Sequence, residues 1–442
     1  MMNKTKPTIK IYGGGLAGSE ASYQLAKRGF NVELYEMKPA RFSPAHSSSF
    51  LAEIVCSNSL KSELLSTASG CLKAELEMLD CLLLKIAKEN AVPAGSALAI
   101  DREKFSTAVT KTLESFSNIK IIREEVTKID TSVPTIIATG PLTSDALSVE
   151  IKKLLGEESL HFYDASAPIV DASSILKEKT FTTSRYQKGE SDYINCPMNK
   201  EEYYAFVHEL VNAERAKLHD FEKSEVFEGC MPIEIMASRG EDTLRFGPLR
   251  PVGLLDNDGK RPFAVVQLRR ENTAGELYNL VGFQTNLTFG EQKRVFSMIP
   301  ALANAEFVKY GVMHRNTFVN APKHLSNDFS MKKYPNIFFA GQISGVEGYV
   351  ESIMSGLVAS ISLARRLDEL PKIEFNNKCI IGAICQYLVT ENENFQPMNA
   401  NFGILQPLDE KVKDKQKRKE AYSLRAIEEI KKLKENYNGI WF

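Results

Sequence analysis

The stretch TIKIYGGGLAGSEASYQLAKRGFNVELYE, residues 8–36, decides the fold of this chain. It begins with a short apolar strand, passes through a glycine turn into an amphipathic helix that Gly29 ends, and finishes with a second strand. The spacing of the apolar residues is typical of this order of elements. The stretch therefore predicts one β–α–β unit, with its helix after the turn, over ASYQLAKRG.

The glycines of this turn match a dinucleotide-binding pattern. Gly13, Gly15 and Gly18 form G-x-G-x-x-G between strand and helix. The first permits a tight turn, the second lets the backbone approach a pyrophosphate, and the third allows close helix–strand packing, with the helix N-terminus facing the phosphates. Glu36 ends the next strand, where a carboxylate can bind a ribose 2′-hydroxyl. The predicted cofactor contacts here are Gly13, Gly14, Gly15, Leu16, Ala17, Gly18 and Glu36.

The pattern alone does not identify the nucleotide, because NAD, FAD and S-adenosylmethionine all carry a ribose. Two further segments favour FAD. TIIATGP (135–141) ends a strand near Gly140, and NIFFAGQISGVEGYVES (336–352) places Gly341 and Gly345 at a strand-to-helix junction. Both suit a close approach of the backbone to other parts of a long dinucleotide. A second complete G-x-G-x-x-G is absent, so a nicotinamide cofactor would dock transiently near the flavin.

Strands and helices alternate along the first part of the chain, which predicts a parallel sheet. After Pro168 the sequence becomes richer in charge and in strand-plus-turn signals, and the α/β pattern resumes near residue 336. Further expected elements are one core-facing helix over residues 71–90, a helix over 101–116, and strands over 118–126 and 135–140.

The predicted fold class is α/β, a Rossmann-like FAD-binding domain with an inserted α+β domain. We place the first part of the FAD-binding domain at residues 1–172 and the insertion domain at 173–298. The second part, at 299–442, ends in a basic C-terminal helix.

Composition excludes several classes of protein. Of 442 residues, 43% are hydrophobic and 25% are charged, which is average for globular proteins. No apolar run approaches the roughly 20 residues of a membrane-spanning helix, and no signal peptide is visible, so no membrane partner is expected. Seven cysteines without a C-x-x-C pair favour reduced thiols in the cytoplasm, and argue against disulfides and a bound metal.

The net charge of −1 hides an asymmetry. Residues 411–434 contain ten Lys or Arg against four Asp or Glu, a local balance of +6. A basic segment on a slightly acidic body is compatible with nucleic acid, but a solvated or docking helix is an equal interpretation.

Two cysteines lie in polar, turn-like sequence. Cys230 is in VFEGCMPIE, beside a glycine and a proline, and Cys56 is in AEIVCSNSLKSE, where an apolar run ends. A thiol on such a turn is a candidate nucleophile when a neighbouring cation lowers its pKa. The cysteines predicted to be inert core residues are Cys71, Cys81, Cys379 and Cys385.

Arginines and aromatic residues alternate between residues 245 and 294. Guanidinium groups pair with phosphates and aromatic rings stack on exposed bases, as in proteins that hold looped RNA. An ordinary half-buried sheet with arginines on its wet face fits the pattern equally well. The candidate RNA contacts are Arg245, Arg250, Arg269 and Arg270.

Taken together, the motifs resemble those of the folate-dependent, flavin-containing RNA uracil-5 methyltransferases, the TrmFO family. The resemblance rests on GGGLAGSEA, YEMKP, AEIVCSNSLKS, FEGCMPIE, FGPLRPVGL, YGVMHRNTF and FFAGQISGVEGYVES, in family order. It covers nearly the whole chain. A generic glycine-motif flavoprotein would not reproduce the segments from 227 to 318.

The resemblance implies a reaction and roles for several residues. 5,10-Methylenetetrahydrofolate supplies a one-carbon unit, NADH or NADPH supplies electrons through FAD, and the product is 5-methyluridine. The RNA is tRNA in most members and ribosomal RNA in some. Cys230 matches the nucleophile position, and Cys56 matches a second family cysteine, whose role is either acid–base assistance or protection of a flavin intermediate.

Three other interpretations stay open at this point. A flavin oxidoreductase acting on a small metabolite would keep the FAD motifs and use Cys230 and the arginines structurally. An S-adenosylmethionine methyltransferase would be colourless. A non-enzymatic RNA chaperone would keep its properties when Cys230 is replaced by alanine.

Overall fold

The computed structural model describes residues 6–156, 160–183, 192–216, 231–392 and 395–437, and only the backbone of 160–164, 314 and 315. In these residues the strands are β1 Ile9–Tyr12, β2 Val32–Tyr35, β3 Ser59–Ser62, β4 Ala91–Val92, β5 Ala97–Ile100, β6 Ile119–Ile122, β7 Thr135–Ile137, β8 Leu160–Ala165, β9 Ile169–Asp171, β10 Phe181–Thr182, β11 Tyr193–Met198, β12 Ala264–Arg270, β13 Leu277–Leu280, β14 Phe307–Lys309, β15 Met313–Phe318 and β16 Ile337–Phe339. The helices are α1 Leu16–Lys27, α2 Ala68–Met78, α3 Leu82–Glu89, α4 Arg102–Glu114, α5 Asp145–Leu155, α6 Lys200–Asn212, α7 Ile233–Ser238, α8 Thr243–Phe246, α9 Phe289–Phe296, α10 Ala321–His324, α11 Tyr349–Leu367, α12 Ile380–Tyr387 and α13 Lys415–Asn436.

A parallel sheet in the order β16-β7-β1-β2-β6 confirms the predicted α/β class. Every residue of β7 and β16 is buried, as is typical of strands covered on both faces in a parallel sheet, whereas β2 and β6 include positions that are partly or fully exposed. The carboxyl ends of β1, β7 and β16 lie at the same edge. The glycine segments that follow these three strands in the sequence therefore meet there, at the usual ligand-binding edge of a doubly wound sheet.

The helix of the β–α–β unit begins earlier than predicted. α1 starts at Leu16, inside the glycine turn, rather than after it. Its buried face packs against α11, where a β-carbon added at Gly356 would lie 2.2 Å from the Ala17 carbonyl oxygen. Small residues at this crossing let the two helices approach closely.

The prediction of one helix over residues 71–90 is wrong. The chain forms α2 and α3, with a break at which Asp80 adopts a φ of +57°. The side chain of Glu20, from α1, accepts hydrogen bonds from the N–H groups of Leu82 and Leu83 at 3.2 and 2.9 Å. These bonds satisfy the free N–H groups of a new helix start, so a contact distant in sequence fixes the break.

A second sheet is antiparallel, in the order β10-β11-β12-β13-β9-β14. Its buried face packs on α6, whose Tyr203, Phe206 and Leu210 lie in the same hydrophobic cluster as Val266 and Leu268. The sheet includes β9 and β14 as well as strands of the predicted insertion. The proposed boundaries at 172 and 298 stay a prediction.

The basic C-terminal segment forms α13, which docks on α2. Ser423, Ala426 and Ile430 are its buried residues, and Lys415, Lys417 and Arg418 are exposed. Among the described residues, no helix has the length and apolar character needed to cross a bilayer. The same residues contain no group of three or more His, Cys, Asp or Glu side chains placed to hold a metal ion.

Candidate active site

A cavity of about 360 Å³ opens at the carboxyl edge of the parallel sheet. Its volume lies in the range of small-molecule and cofactor sites. Of the residues predicted to bind cofactor or to act in catalysis, its wall includes Gly13, Gly15, Leu16, Ala17, Glu36, Cys56, Gly140 and Gly341. The fold thus brings together four segments that are far apart in the sequence.

The glycine turn has the geometry that its pattern predicts. Gly13 has a φ of +100°, which side-chain-bearing residues rarely adopt. A β-carbon added at Gly18 would lie 1.9 Å from the Gly13 carbonyl oxygen, so the start of α1 rests directly on the turn. A β-carbon at Gly15 or Gly140 would meet no atom of the described residues within 4 Å. Both glycines therefore offer bare backbone to the cavity.

Glu36 is buried at the end of β2 and uses its carboxylate within the turn. Its Oε2 accepts a hydrogen bond from the Gly14 N–H at 3.1 Å, and its Oε1 accepts one from the Lys38 N–H at 3.0 Å. Each carboxylate oxygen has further lone pairs. Glu36 can therefore fix the turn and still accept a ribose hydroxyl.

The three remaining predicted cofactor residues do not face the cavity and contribute through packing. Gly14 and Gly18 do not line the cavity. Gly345 also lies outside it, and a β-carbon there would lie 2.6 Å from the Phe395 ring. Close packing, rather than access to a ligand, requires a glycine at position 345.

Cys56 is half-buried and lines the cavity wall. Its backbone N–H donates to the Tyr349 hydroxyl oxygen at 2.9 Å, and its thiol donates to the Ala165 carbonyl at 3.7 Å. Burial, and after it the neighbouring Cys56, raise the pKa of Tyr349, which stays a neutral hydroxyl. Tyr349 begins α11, so the helix that packs on α1 also positions the cysteine.

Arg269 has a position that the sequence did not predict. Its side chain is buried, with Nε donating to Asn58 Oδ1 and Nη2 to Ser57 Oγ, both at 2.7 Å. We expected a surface arginine able to contact RNA. Instead its guanidinium group, directed inward from β12, holds the two residues that follow Cys56. Arg270 contributes a backbone carbonyl that accepts from Asn58 Nδ2 at 2.9 Å.

Arg102, which sequence reasoning missed, supports the same loop from the other side. Its Nε donates to Glu271 at 2.6 Å and its Nη1 donates to the Ile54 carbonyl at 3.0 Å. Burial lowers the pKa of Arg102, but neighbouring groups, the Glu271 carboxylate first among them, raise it, and the net shift of the Arg102 pKa is upward. A salt-bridge partner distant in sequence leaves no local sequence signal.

Of the six other cysteines, five are buried and one lies outside the described residues; Cys196, on β11, is one of the buried five. Cys71, Cys81, Cys379 and Cys385 are buried as predicted, and burial raises the pKa of each thiol. Cys230 lies outside the described residues, so its expected role as nucleophile stays a prediction. The described chain resumes at Met231, and the Ile233 N–H donates to the carbonyl of Gln284, which lines the cavity.

Arg245 and Arg250 lie in a separate surface groove with Phe246 and Phe263. The Arg245 guanidinium lies 3.6 Å from the centre of the Phe263 ring and pairs with Asp242 at 3.0 Å. Phe246 is 82% exposed. An exposed ring beside arginines is chemically suited to stack on an unpaired base.

The fold and the cavity place the chain in a class: α/β proteins that bind a dinucleotide in the manner of flavoproteins. The family model of glucose inhibited division protein A matches residues 8–371. Aquifex aeolicus GidA, in its form I crystal, superposes with a TM-score of 0.70 over 97% of this chain and 76% of its own, at 16% sequence identity. This likeness confirms the fold.

Two sequence relatives are much more similar. The methylenetetrahydrofolate–tRNA-(uracil-5-)-methyltransferase TrmFO of Desulfitobacterium hafniense is 54% identical over 428 residues, 96% of this chain and 98% of the relative. The protein of the same name from Acetivibrio thermocellus is 54% identical over 432 residues, 97% of this chain and 99% of the relative. The chain therefore belongs to the TrmFO family, and the resemblance found in the sequence is confirmed.

The residues present fit FAD. The turn at Gly13–Gly18 can take a pyrophosphate on bare backbone, and Glu36 lies at the ribose position. Gly140 leaves room along the cavity, and Gly341, where a β-carbon would lie 3.1 Å from that of Ala17, lets the third segment pack closely on the turn. The pocket extends from these glycines to Cys56, so one end of a long dinucleotide would approach the thiol.

Proposed function

We propose that the protein methylates C5 of a uridine in tRNA, with 5,10-methylenetetrahydrofolate as one-carbon donor and FAD bound in the cavity. One observation carries the proposal: a cysteine thiol and three dinucleotide-type glycine turns share a single cavity. The relatives that match almost the full length of the chain have this activity in their names. The three alternative functions are an S-adenosylmethionine methyltransferase, a flavin oxidoreductase acting on a small metabolite and an RNA chaperone. None of them accounts for both the shared cavity and the names of the relatives.

The chain supplies a nucleophile and a cysteine loop held in position by hydrogen bonds. C5 of uracil is a poor nucleophile until a thiolate adds at C6, so the reaction needs a cysteine beside the extruded base. FAD supplies the redox chemistry that converts the transferred methylene group to a methyl group. Tyr349, Arg269 and Arg102 hold the Cys56 loop from three sides through hydrogen bonds to it. The thiol therefore keeps a fixed position while base and folate enter.

We assign the attack on C6 to Cys230 and an assisting role to Cys56. The FEGCMPIE motif around Cys230 matches the family nucleophile position. The hydrogen bond from the Ile233 N–H to the Gln284 carbonyl attaches the end of this motif to a residue of the cavity wall. Cys56 is the cysteine that lines the cavity in the described part of the chain.

The test is methylation of unmodified tRNA and ribosomal RNA side by side, with mass-spectrometric mapping of the product. Cys230→Ala should abolish methylation and leave the flavin absorbance of the purified protein unchanged, because the nucleophile is lost and the glycine turns remain. Cys196→Ala is the matched control, since Cys196 is a buried core cysteine, and it should keep wild-type turnover. Full turnover by Cys230→Ala would remove Cys230 from the nucleophile role.

We further propose that the groove around Phe246 binds RNA. It combines an exposed aromatic ring with Arg245 and Arg250, so a stacked base and its phosphates could be held together. Phe246→Ala should weaken tRNA binding by about 1–3 kcal/mol, roughly 5- to 150-fold, as stacking contacts do. Val149→Ala removes another exposed apolar side chain, outside the groove, and should leave the dissociation constant unchanged. Equal affinities of both variants and wild type would refute the assignment.

The same proposal includes a transient NADH or NADPH as reductant and a cytoplasmic location. No separate nucleotide fold for a nicotinamide is seen in the sequence, so the reductant would approach the cavity directly. Anaerobic bleaching of the flavin by each nicotinamide in turn would identify the reductant.

A further inference from the structure

Asn316 is a buried polar residue whose side-chain amide has no hydrogen-bond partner among the residues that the structure describes. It lies on β15, it is one of the residues that line the cavity, and its exposed fraction is 0%. Within the described part of the chain, neither Nδ2 nor Oδ1 has a hydrogen-bond partner. A buried polar group without a hydrogen-bond partner lowers the stability of the folded protein by about 1–3 kcal/mol. Two such atoms at a ligand cavity therefore call for an explanation.

The backbone around Asn316 is fixed between the cofactor turns. The Thr317 N–H donates to the Pro141 carbonyl at 2.9 Å, and the Val319 N–H donates to the Ile343 carbonyl at 2.8 Å. These bonds join β15 to the segments that follow Gly140 and Gly341. The amide is therefore held rigidly at the side of the cavity where two of the glycine turns meet.

The same two-stranded sheet also leads to the thiol. Cys56 donates to the carbonyl of Ala165, and Ala165 is paired with Met313 in the β8–β15 sheet. Met313 is three residues before Asn316, which is about 10 Å along a strand. β15 thus connects the dinucleotide turns with the carbonyl that Cys56 contacts, and Asn316 of this strand lines the same cavity as Cys56.

We propose that the Asn316 amide binds the edge of a heterocycle that presents an N–H beside a C=O. An asparagine amide offers one acceptor and two donor hydrogens in a plane, and it can pair with such an edge through two hydrogen bonds. The pyrimidine ring of the flavin and the pterin ring of the folate both carry this lactam edge. The inference rests on the proposed function and adds a residue that orients one of its two heterocycles.

The experiment compares Asn316→Leu with Asn279→Leu. Asn279 is the matched control because it is also a buried strand asparagine with an unpartnered Nδ2, but it does not line the cavity. FAD binding is measured by titrating apoprotein and following flavin fluorescence. Folate binding is measured by titrating FAD-loaded protein with tetrahydrofolate and following the flavin absorbance spectrum.

Asn316→Leu should raise one of the two dissociation constants at least tenfold, and Asn279→Leu should change neither. A higher dissociation constant for FAD identifies the flavin edge as the bound group. A higher dissociation constant for tetrahydrofolate alone identifies the pterin edge. The apoprotein of Asn316→Leu should unfold at a temperature no lower than wild type, because two unsatisfied atoms are removed; a residue of purely structural importance would lower that temperature.

Both dissociation constants within twofold of wild type would overturn the inference. If Asn316→Leu does not fold, Asn316→Asp, which keeps the shape but loses the donor, is tested in the same way and by the same criterion. Failure of wild-type protein to bind either FAD or tetrahydrofolate would instead overturn the proposed function, so the two failures are distinguishable.

Discussion

At the residue scale, the dinucleotide turn depends on contacts between backbone atoms. The α-carbon of Gly18 faces the Gly13 carbonyl so closely that no side chain fits between α1 and the turn. The same turn is fixed on its other side by the Glu36 carboxylate, which accepts from the Gly14 N–H. One missing side chain and one buried acid therefore set the geometry at the phosphate position.

Gly18→Ala should remove bound flavin and destabilise the fold. The added β-carbon would overlap a carbonyl oxygen that belongs to the backbone, so strand and helix must separate, at a cost of about 1–3 kcal/mol. Flavin absorbance per mole of protein and thermal unfolding measure the two effects. Gly290→Ala is the control, because a β-carbon there meets no atom within 4 Å. Wild-type flavin content in Gly18→Ala would contradict the assigned close contact.

At the element scale, buried glutamates of one helix supply the start of another. Glu20 of α1 accepts from the first N–H groups of α3, and Glu75 of α2 accepts from the N–H groups of Ile380 and Ile381 at 2.7 and 2.9 Å, at the start of α12. These contacts are between helices distant in the sequence. They explain helix starts that no local capping residue would indicate.

Stability should depend on pH through Glu75. Burial raises the pKa of this carboxyl from 4.5 to about 7, so the folded protein holds its proton more tightly than the unfolded chain does. The resulting stabilisation is fully present below about pH 4.5 and is lost as the pH rises through about 7. The change is at most about 3 kcal/mol.

Urea unfolding at several pH values between about 5 and 9 measures this dependence. The free energy of unfolding of wild type should fall relative to that of Glu75→Gln as the pH rises through this interval, because the glutamine cannot titrate. Glu114→Gln changes an exposed acid at the end of α4 and should keep the wild-type pH dependence. Parallel profiles for wild type and Glu75→Gln would show that Glu75 does not titrate there.

At the scale of the whole molecule, charge is distributed unevenly. The chain has a net charge of −1, and the segment containing α13 carries a local excess of positive charge. The docked face of α13 uses small and apolar residues, so its basic residues remain at the surface. The docking and RNA-binding interpretations of this helix are therefore compatible.

Replacing Lys415, Lys417 and Arg418 together by glutamine should weaken tRNA binding without changing thermal stability. If all three contact phosphates, the slope of log K against log salt should become shallower by up to about 3, roughly 0.9 for each contact. Lys85, Lys111 and Lys120, which are exposed elsewhere, form the control triple replacement. Equal slopes for the two variants would mean that α13 makes no specific contribution.

The sequence by itself determined the β–α–β unit, the dinucleotide turn and the family. These depend on local periodicity, on glycines at fixed spacing and on motifs in a fixed order, all of which are present in a linear chain. The burial of the four structural cysteines was also predictable, because their neighbours are apolar.

Only the tertiary structure decided how these parts are combined. Pairing of distant strands places Cys56, Gly140 and Gly341 at one cavity. Arg269, which we expected at the surface, is buried and donates hydrogen bonds to the two residues after Cys56. The helix break at Asp80 and the unpaired amide of Asn316 likewise have no local sequence signal. Each depends on the free energy of groups brought together from distant positions, which no single stretch of sequence contains.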